Sequence, residues 1–470
     1  MSDATTIVET LAAALPPGRV VTDAADLRAH AHDYWALEAI RDRGPEPAPA
    51  PPCVVYPEST DEVARVLAIA DERRVPVVPY GLGSGVCGGV RPGREAIVLD
   101  MRRMSALVDV NGDALTATVQ AGLNGAECER LLSERGFTLG HFPQSIALSS
   151  VGGWVSTRAS GQLSTRYGNI EDLVLALEVV LPGGKVLRTF PAPRAATGPD
   201  LRQLFLGAEG TLGVVTEITL KISPKPDWQQ GFAATLASWD DGIEISREIL
   251  QAGWRPAVLR LYDEVEAQRN FGTWVQQPAP LLLVMSEGTA AMTPALEAEL
   301  EAARAACRAR GGTLLGEEPL RHWLAHRNQV PSWDALLAGG LVVDTIEVAA
   351  TWDRVRPLHR AVTDAIKAVP GIIAASGHTS HGYTTGVNIY FTFVGTATAP
   401  DEQERIYRQA WTAAMETSIA SGATIAHHHG IGRVRRDWLP RELGESGMAV
   451  LRAVKAALDP HGIMNPGVLL

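Results

Sequence analysis

Five glycines fall within twelve residues in Pro79-Tyr-Gly-Leu-Gly-Ser-Gly-Val-Cys-Gly-Gly-Val90. Glycine admits positive φ and puts no Cβ between the backbone N–H groups and an anion, so such a loop can cradle a phosphate. No Gly-Lys-Ser/Thr follows, which excludes a P-loop, and the loop opens no helix, which excludes a Rossmann fingerprint. A plain turn explains this loop equally well when it is taken alone. Two further segments change that balance. Ser149-Ser-Val-Gly-Gly-Trp-Val-Ser-Thr-Arg-Ala-Ser160 joins paired glycines to five small hydroxyl residues and one arginine, and Gly207-Ala-Glu-Gly-Thr-Leu-Gly213 repeats the theme. Three such bends in one half of the chain imply a large diphosphate-bearing cofactor. In the other half stands His427-His428-His429. Neighbours on an extended segment face opposite sides, so His427 and His429 are expected in one site with His428 turned away. That ranks proton transfer and anion contact first, structural hydrogen bonding second and metal binding last.

The elements around these segments mix helix and strand. Ser59 or Thr60 can cap a helix in which Val63, Val66, Leu67 and Ala70 recur at helical spacing. Val75–Pro79 and Ile97–Leu99 read as strands flanking the first glycine loop. Leu115–Ala121 alternates with period two, and Asn124 opens a helix that Gly136 can end. Val174–Leu181 and Lys185–Arg188 form a hairpin around Pro182-Gly-Gly184, and Val214–Ile222 alternates again. Pro224 and Pro226 mark a boundary. Beyond it come strands at Ala257–Leu261, Leu281–Met285, Asn388–Phe393 and Ala423–Ala426. Helices are expected at Pro294–Arg310, Leu358–Val369, Glu402–Ala420 and Gly447–Leu458. The pattern is α+β and not a doubly wound sheet.

With 470 residues, 46% hydrophobic and 20% charged, the chain has material for two or three cores. A formal charge of −11 argues against bulk attraction to nucleic acid or anionic lipid. Cys53, Cys87, Cys128 and Cys307 form no CxxC pair, so no disulfide framework or thiolate zinc site is signalled. No apolar run approaches the roughly 18 residues of a membrane span. A cytoplasmic setting is expected.

The residues quoted above, with Tyr167-Gly-Asn-Ile-Glu-Asp-Leu173, Trp352-Asp-Arg-Val355 and His427-His-His-Gly-Ile-Gly432, resemble the vanillyl-alcohol oxidase and p-cresol methylhydroxylase family of FAD-binding proteins. Within it the likeness is strongest to the alkyldihydroxyacetonephosphate synthase branch, from about His30 to the C-terminus. The resemblance implies an α+β fold: a PCMH-type FAD-binding domain of two α+β subdomains and an α/β cap domain with a large antiparallel sheet. The expected division is an N-terminal segment (1–50), the FAD domain (51–225), the cap (226–435) and a C-terminal segment (436–470) returning to the FAD domain. FAD, held without a covalent bond, would contact Pro79, Gly81, Leu82, Gly83, Ser84, Gly85 and Val86 in the first loop. Pro143, Ser145, Ser149, Ser150, Gly152, Gly153, Thr157 and Ser160 would follow, then Glu209, Gly210, Gly213, Val214 and Val215.

The same resemblance makes Tyr383 a general acid/base. A phenol serves near neutral pH only where cations lower its pKa, and His381, His427 and His429 are the candidates. Arg260 would sit near flavin and substrate, and His427, His428 and His429 complete the catalytic set. No metal is expected. Hydroxy-acid-oxidising relatives carry two histidines seven apart and a glutamate before His-Gly. Here His378 matches the first, Thr385 falls at the second and His428 replaces the glutamate.

The leading expectation is exchange of an acyl for an alkyl group through an adduct at flavin N5. The alternative is an FAD-linked oxidase or dehydrogenase of a small alcohol or hydroxy acid without the usual cap metal. A non-catalytic flavin-binding module leaves the polar cap residues without purpose. An arginine of the synthases is missing before Asp344, where Trp333 takes its place. The expected partner is a small-molecule substrate, with no nucleic acid and no transmembrane segment, and a homodimer is allowed.

Overall fold

The structure, a computed structural model, describes residues 2–470, with side chains from Thr6 onward. Near the N-terminus a four-stranded sheet runs Val20–Val21, Val54–Val55, Ile97–Asp100, Val77–Tyr80, with its last three strands parallel. The helix Thr60–Arg73 packs beside it. Ser59 Oγ accepts the Glu62 amide as its cap, and Val63, Val66, Leu67 and Ala70 form the buried stripe. A five-stranded antiparallel sheet follows, in the order Leu107–Asn111, Thr116–Gln120, Val214–Lys221, Val174–Val180, Val186–Arg188. These are the two α+β units expected of the FAD domain.

The cap is built on a seven-stranded antiparallel sheet. Its order is Thr313–Gly316, Trp228–Thr235, Leu281–Gly288, Val258–Tyr262, Ile372–Thr379, Gly386–Thr396, Leu341–Thr351. One face is apolar: Leu259, Leu261, Val284, Ile346, Val348, Ile389 and Phe391 are buried under the long helices Trp239–Gln251, Thr293–Ala309, Trp352–Lys367 and Pro400–Ala420. Period-two alternation sends the intervening residues to the other face, which carries the site.

No strand forms at Ala423–Ala426. Thr424 instead exchanges two hydrogen bonds with Ala349, through its amide and its hydroxyl, and the chain then turns. The C-terminal segment returns to the first sheet, where Met464 bridges Val77 and the Asn465 amide donates to Val77 O. Lys455 fixes this tail by donating to Thr211 O, Met464 O and Asp459. No helix among the described residues is long and apolar enough to cross a membrane.

Candidate functional site

The two sheets and the cap enclose a cavity of about 1430 Å³. That exceeds the roughly 300–1,000 Å³ that suits one drug-sized ligand, and leaves room for a cofactor together with a substrate. Every residue expected to hold the cofactor, from Pro79 to Val215, lines it. The three glycine-containing bends, more than 100 residues apart at their extremes, therefore meet around one space.

At two of the bends the close approach of neighbouring residues requires glycine. A Cβ on Gly81 would stand 2.4 Å from Ser150 Oγ, and Ser150 cannot turn away without releasing the Gly153 amide it caps. Gly210, at φ +71, lies against Pro79 at a distance no side chain could share. Asn465 donates to Gly89 O and Glu209 O, while its buried Oδ1 has no partner among the described residues and the residue lines the cavity. Such an orphaned acceptor calls for a donor from a ligand or a water.

Glu209 ties the two halves together. It adopts φ 50, and its carboxylate accepts the amides of Ile431 (2.7 Å) and Gly432 (2.9 Å), just past the triple histidine. Burial pushes its carboxyl up to about 7 despite those bonds. Asp33, buried on the other side of Gly89, is likewise pushed up to about 7 by burial.

On the cap side, strand register aligns one transverse row: Tyr262 opposite His378, His378 opposite Tyr390, Tyr390 opposite Glu347. Arg260, two residues before Tyr262, shares its face and donates Nε to the Tyr262 hydroxyl. Arg260 Nη2 reaches His378 Nε2 at 2.6 Å, and His378 Nδ1 lies 2.7 Å from Glu266 Oε2. Because the guanidinium can only donate, His378 accepts at Nε2 and donates from Nδ1. Burial and then the Arg260 charge lower its pKa, which agrees with this neutral tautomer.

Glu347 organises the histidine turn. Its Oε1 accepts the amides of His428 (3.3 Å) and His429 (2.9 Å), and its Oε2 lies 2.7 Å from His429 Nδ1 and 2.6 Å from Arg435 Nη2. Arg435 is fully buried. Burial opposes ionisation of Glu347, but Arg435 and His429 together hold its carboxyl well below the usual range.

Two consecutive amides on one oxygen make a turn and not a strand, so the expected alternation fails. His428 and His429 line the cavity, whereas His427 lies behind them and bonds Tyr383. His427 Nδ1 approaches His428 Nδ1 at 2.8 Å, and its Nε2 is 2.7 Å from the Tyr383 hydroxyl. Tyr383 also accepts from Asn169 Nδ2 at 3.1 Å, and it is not among the residues lining the cavity. No cation lowers its pKa: burial pushes the phenol up to about 12, and burial likewise drives His427 down to about 4. Arg260 lines the cavity.

Several residues with a part in the site went unnoticed in the sequence. Arg327 lines the cavity with its guanidinium over Trp323 (5.5 Å) and Phe142 (5.0 Å). Glu347 and Arg435 carried no motif, although period-two reading of Val343, Thr345 and Glu347 would have put all three on one face. His141 is buried against Trp154, and neither ring nitrogen finds a partner among the described residues.

Comparison with known proteins bears on what this cavity holds. The family model described as FAD binding domain matches residues 51–189, and that of FAD linked oxidases, C-terminal domain, matches residues 225–469. The chain belongs to the FAD-linked oxidases. It carries an FAD-binding domain and is an enzyme, either transferase or oxidoreductase. It is 32% identical to an alkyldihydroxyacetonephosphate synthase of Trypanosoma brucei brucei, over 93% of this chain and 75% of that one. It is 33% identical to the uncharacterized FAD-linked oxidoreductase YgcU of Escherichia coli (strain K12), over 98% of each. Glycolate oxidase subunit GlcD of Bacillus subtilis is 30% identical over 91% of this chain and 90% of its own. A solved alkyldihydroxyacetonephosphate synthase superposes with a TM-score of 0.82 at 25% identity, covering 98% of this chain and 84% of that one. p-Cresol methylhydroxylase shares the fold, with a TM-score of 0.80 at 17% identity over 99% and 96% of the two chains.

Proposed function

We propose that this FAD enzyme acts on an anion carrying an aliphatic chain, and exchanges its acyl for an alkyl group as the synthase resemblance implies. The observation that carries the reading is a graded sheet face. Glu347 and Tyr390, Thr345 and Thr392, Val343 and Val394 are successive cross-strand pairs, and Leu341 extends the series. All but Glu347 line the cavity. From Leu341 to Glu347 the strand rises about 20 Å, from apolar to polar. Trp333 and Leu336 flank the apolar end, and the Trp333 indole donates to Tyr34 O.

The polar end is cationic. Arg260 and Arg327 both lie over the Trp323 ring, and among the described residues their hydrogen-bonding side chains are neutral: Tyr262, His378 and Gln162. Charge drawn out of water is ordinarily paired, so two part-buried guanidiniums with no carboxylate in hydrogen-bonding contact favour an anionic ligand. FAD, held along the glycine bends, would supply an electrophilic ring. Arg260 and Arg327 hold the anion, His429 steadies negative charge that develops on the substrate, and Tyr383 moves a proton through its contact with His427.

A second reading, oxidation of a small hydroxy acid, is favoured by Trp333 standing where the synthases have an arginine. The two separate in one pair of assays. Labelled fatty acid released from an acyl-dihydroxyacetone phosphate in exchange for a fatty alcohol, without peroxide, supports the synthase. Anaerobic bleaching of the flavin by a hydroxy acid, with no exchange, supports the oxidase. Tyr383→Phe should lower either rate by roughly 10²–10⁴-fold while the flavin spectrum is retained; unchanged turnover removes Tyr383 from the mechanism.

A further inference from the structure

The metal set of the hydroxy-acid-oxidising relatives does not fit here. Thr385 is no imidazole, and His378 spends both ring nitrogens, on Glu266 and Arg260. A different cluster stands nearby. His381, His427 and His428 each offer one ring nitrogen, and these atoms lie within 4.8 Å of one another. We propose that His381, His427 and His428 form a three-imidazole site for a divalent ion that prefers nitrogen ligands, Zn²⁺ first, with its open position toward the cavity.

The far sides of two rings are already held. His381 Nδ1 is 2.7 Å from the Ser164 hydroxyl, and His427 Nε2 is 2.7 Å from the Tyr383 hydroxyl. Anchoring the distal nitrogen fixes ring orientation and tautomer, as it does for histidines that ligate metals. With Nδ1 of His381 engaged, its Nε2 is left to bind. The His427 and His428 Nδ1 atoms sit 2.8 Å apart. Two lone pairs at that separation repel unless a proton or a cation lies between them. Tetrahedral zinc with bonds of about 2.0–2.1 Å sets its ligand nitrogens roughly 3.3 Å apart, so widening this contact by about half an ångström and drawing His381 inward completes the set. His381 and His428 line the cavity, which leaves the fourth position facing it. Glu347, whose Oε1 accepts the His428 amide, places a carboxylate beside the site.

This site is tested apart from the reaction proposed above, because metal content is read without turnover. Tag-free, FAD-loaded protein dialysed against micromolar ZnCl₂ should retain one zinc per chain. Co²⁺-exchanged protein should show tetrahedral ligand-field bands at wavelengths beyond flavin absorption. His381→Ala and His428→Ala should lose the metal. Ser164→Ala should weaken binding by roughly 10–100-fold, and His461→Ala, a histidine paired with Asp71 near the surface, should keep it. Wild-type zinc no higher than in His428→Ala, or zinc retained in full by both ligand variants, would overturn the proposal. Where a variant fails to hold FAD, the wild-type Co²⁺ spectrum decides, and octahedral bands alone sink the site.

Discussion

Replacing Glu347 by glutamine tests the buried network that shapes the cap side of the cavity. The substitution keeps the shape of the side chain but strands Arg435, which is fully buried with its Nη2 2.6 Å from Glu347 Oε2. The remaining guanidinium contacts are Gly430 O, at 2.8 Å, Cys87 Sγ, at 2.9 Å, and the Trp411 ring, 5.0 Å to its centroid, none of which carries a full charge at neutral pH. The new amide NH₂ must also face either that guanidinium or the amides of His428 and His429, and it suits neither. Breaking a buried pair by removing one partner costs roughly 3–5 kcal/mol, a large share of a typical 5–15 kcal/mol stability. Urea unfolding at saturating FAD and neutral pH, followed by flavin and tryptophan fluorescence, should show a clear fall in midpoint. The sign with pH follows from the depressed pKa of Glu347. Its contribution is full above the unfolded carboxylate value and fades as pH falls through the lower folded one, so wild type and variant converge in acid. Adding Arg435→Met should restore most of the loss, because the stranded charge goes with it. A single-variant loss below about 1 kcal/mol, or a double variant that loses the sum of the two singles, would refute the reasoning.

Glu209 should behave oppositely. Its folded pKa of about 7 lies above the unfolded value, so the folded state keeps a proton that the unfolded state has released between those limits. Stability therefore falls as pH rises through that window, and Glu209→Gln should remove about 3 kcal/mol of this slope; equal slopes in equilibrium unfolding from pH 5 to 8 would contradict it. Gly81→Val forces a Cβ to 2.4 Å from Ser150 Oγ. Overpacking of roughly 1–3 kcal/mol should appear as about 5–150-fold weaker FAD binding by flavin-fluorescence titration; undiminished affinity would place the cofactor elsewhere. Arg327→Gln should raise KM for the anionic substrate roughly 10-fold or more, the value of a charged hydrogen bond, with kcat little changed; a fall in kcat alone would assign Arg327 a different part.

How legible the molecule was depends on which face of an element a residue occupies. Helices and strands with one apolar stripe, such as Thr60–Arg73 and Val214–Lys221, show in the sequence because the core imposes its period on them. The strand Leu341–Thr351 was hidden. Asp344, Thr345 and Glu347 interrupt its apolar run, and Asp344 is polar on the buried face because Tyr407 and Trp411 donate to it there. The cofactor bends were legible because glycine is demanded by backbone approach, a local property. The histidine turn was misread for the opposite reason: its conformation is set by a carboxylate some 80 residues away, Glu347, and by Glu209 more than 200 residues away. Local pattern carries no trace of such partners.

The cavity wall thus divides into two electrostatic halves, and the division constrains the chemistry. Around Glu347, charges are locked: Arg435 keeps the carboxylate ionised, and the carboxylate holds His429 at ion-pair distance. Around Tyr383 the imidazoles are neutral, since burial lowers the pKa of His381, His427 and His428 alike, and the nearby carboxylates Glu171 and Asp172 push the phenol further up. A phenol at about 12 yields roughly one phenolate in 10⁵ at pH 7, too little for a base of ordinary efficiency. Binding an anionic substrate raises that barrier further, because like charge disfavours phenolate. Tyr383 therefore serves as a proton donor in its resting state, and becomes a base only when positive charge arrives at His427. A cation shared by His381, His427 and His428 would deliver that charge one imidazole away from the phenol, and the pH profile of turnover should then move to lower pH when metal is restored to stripped protein.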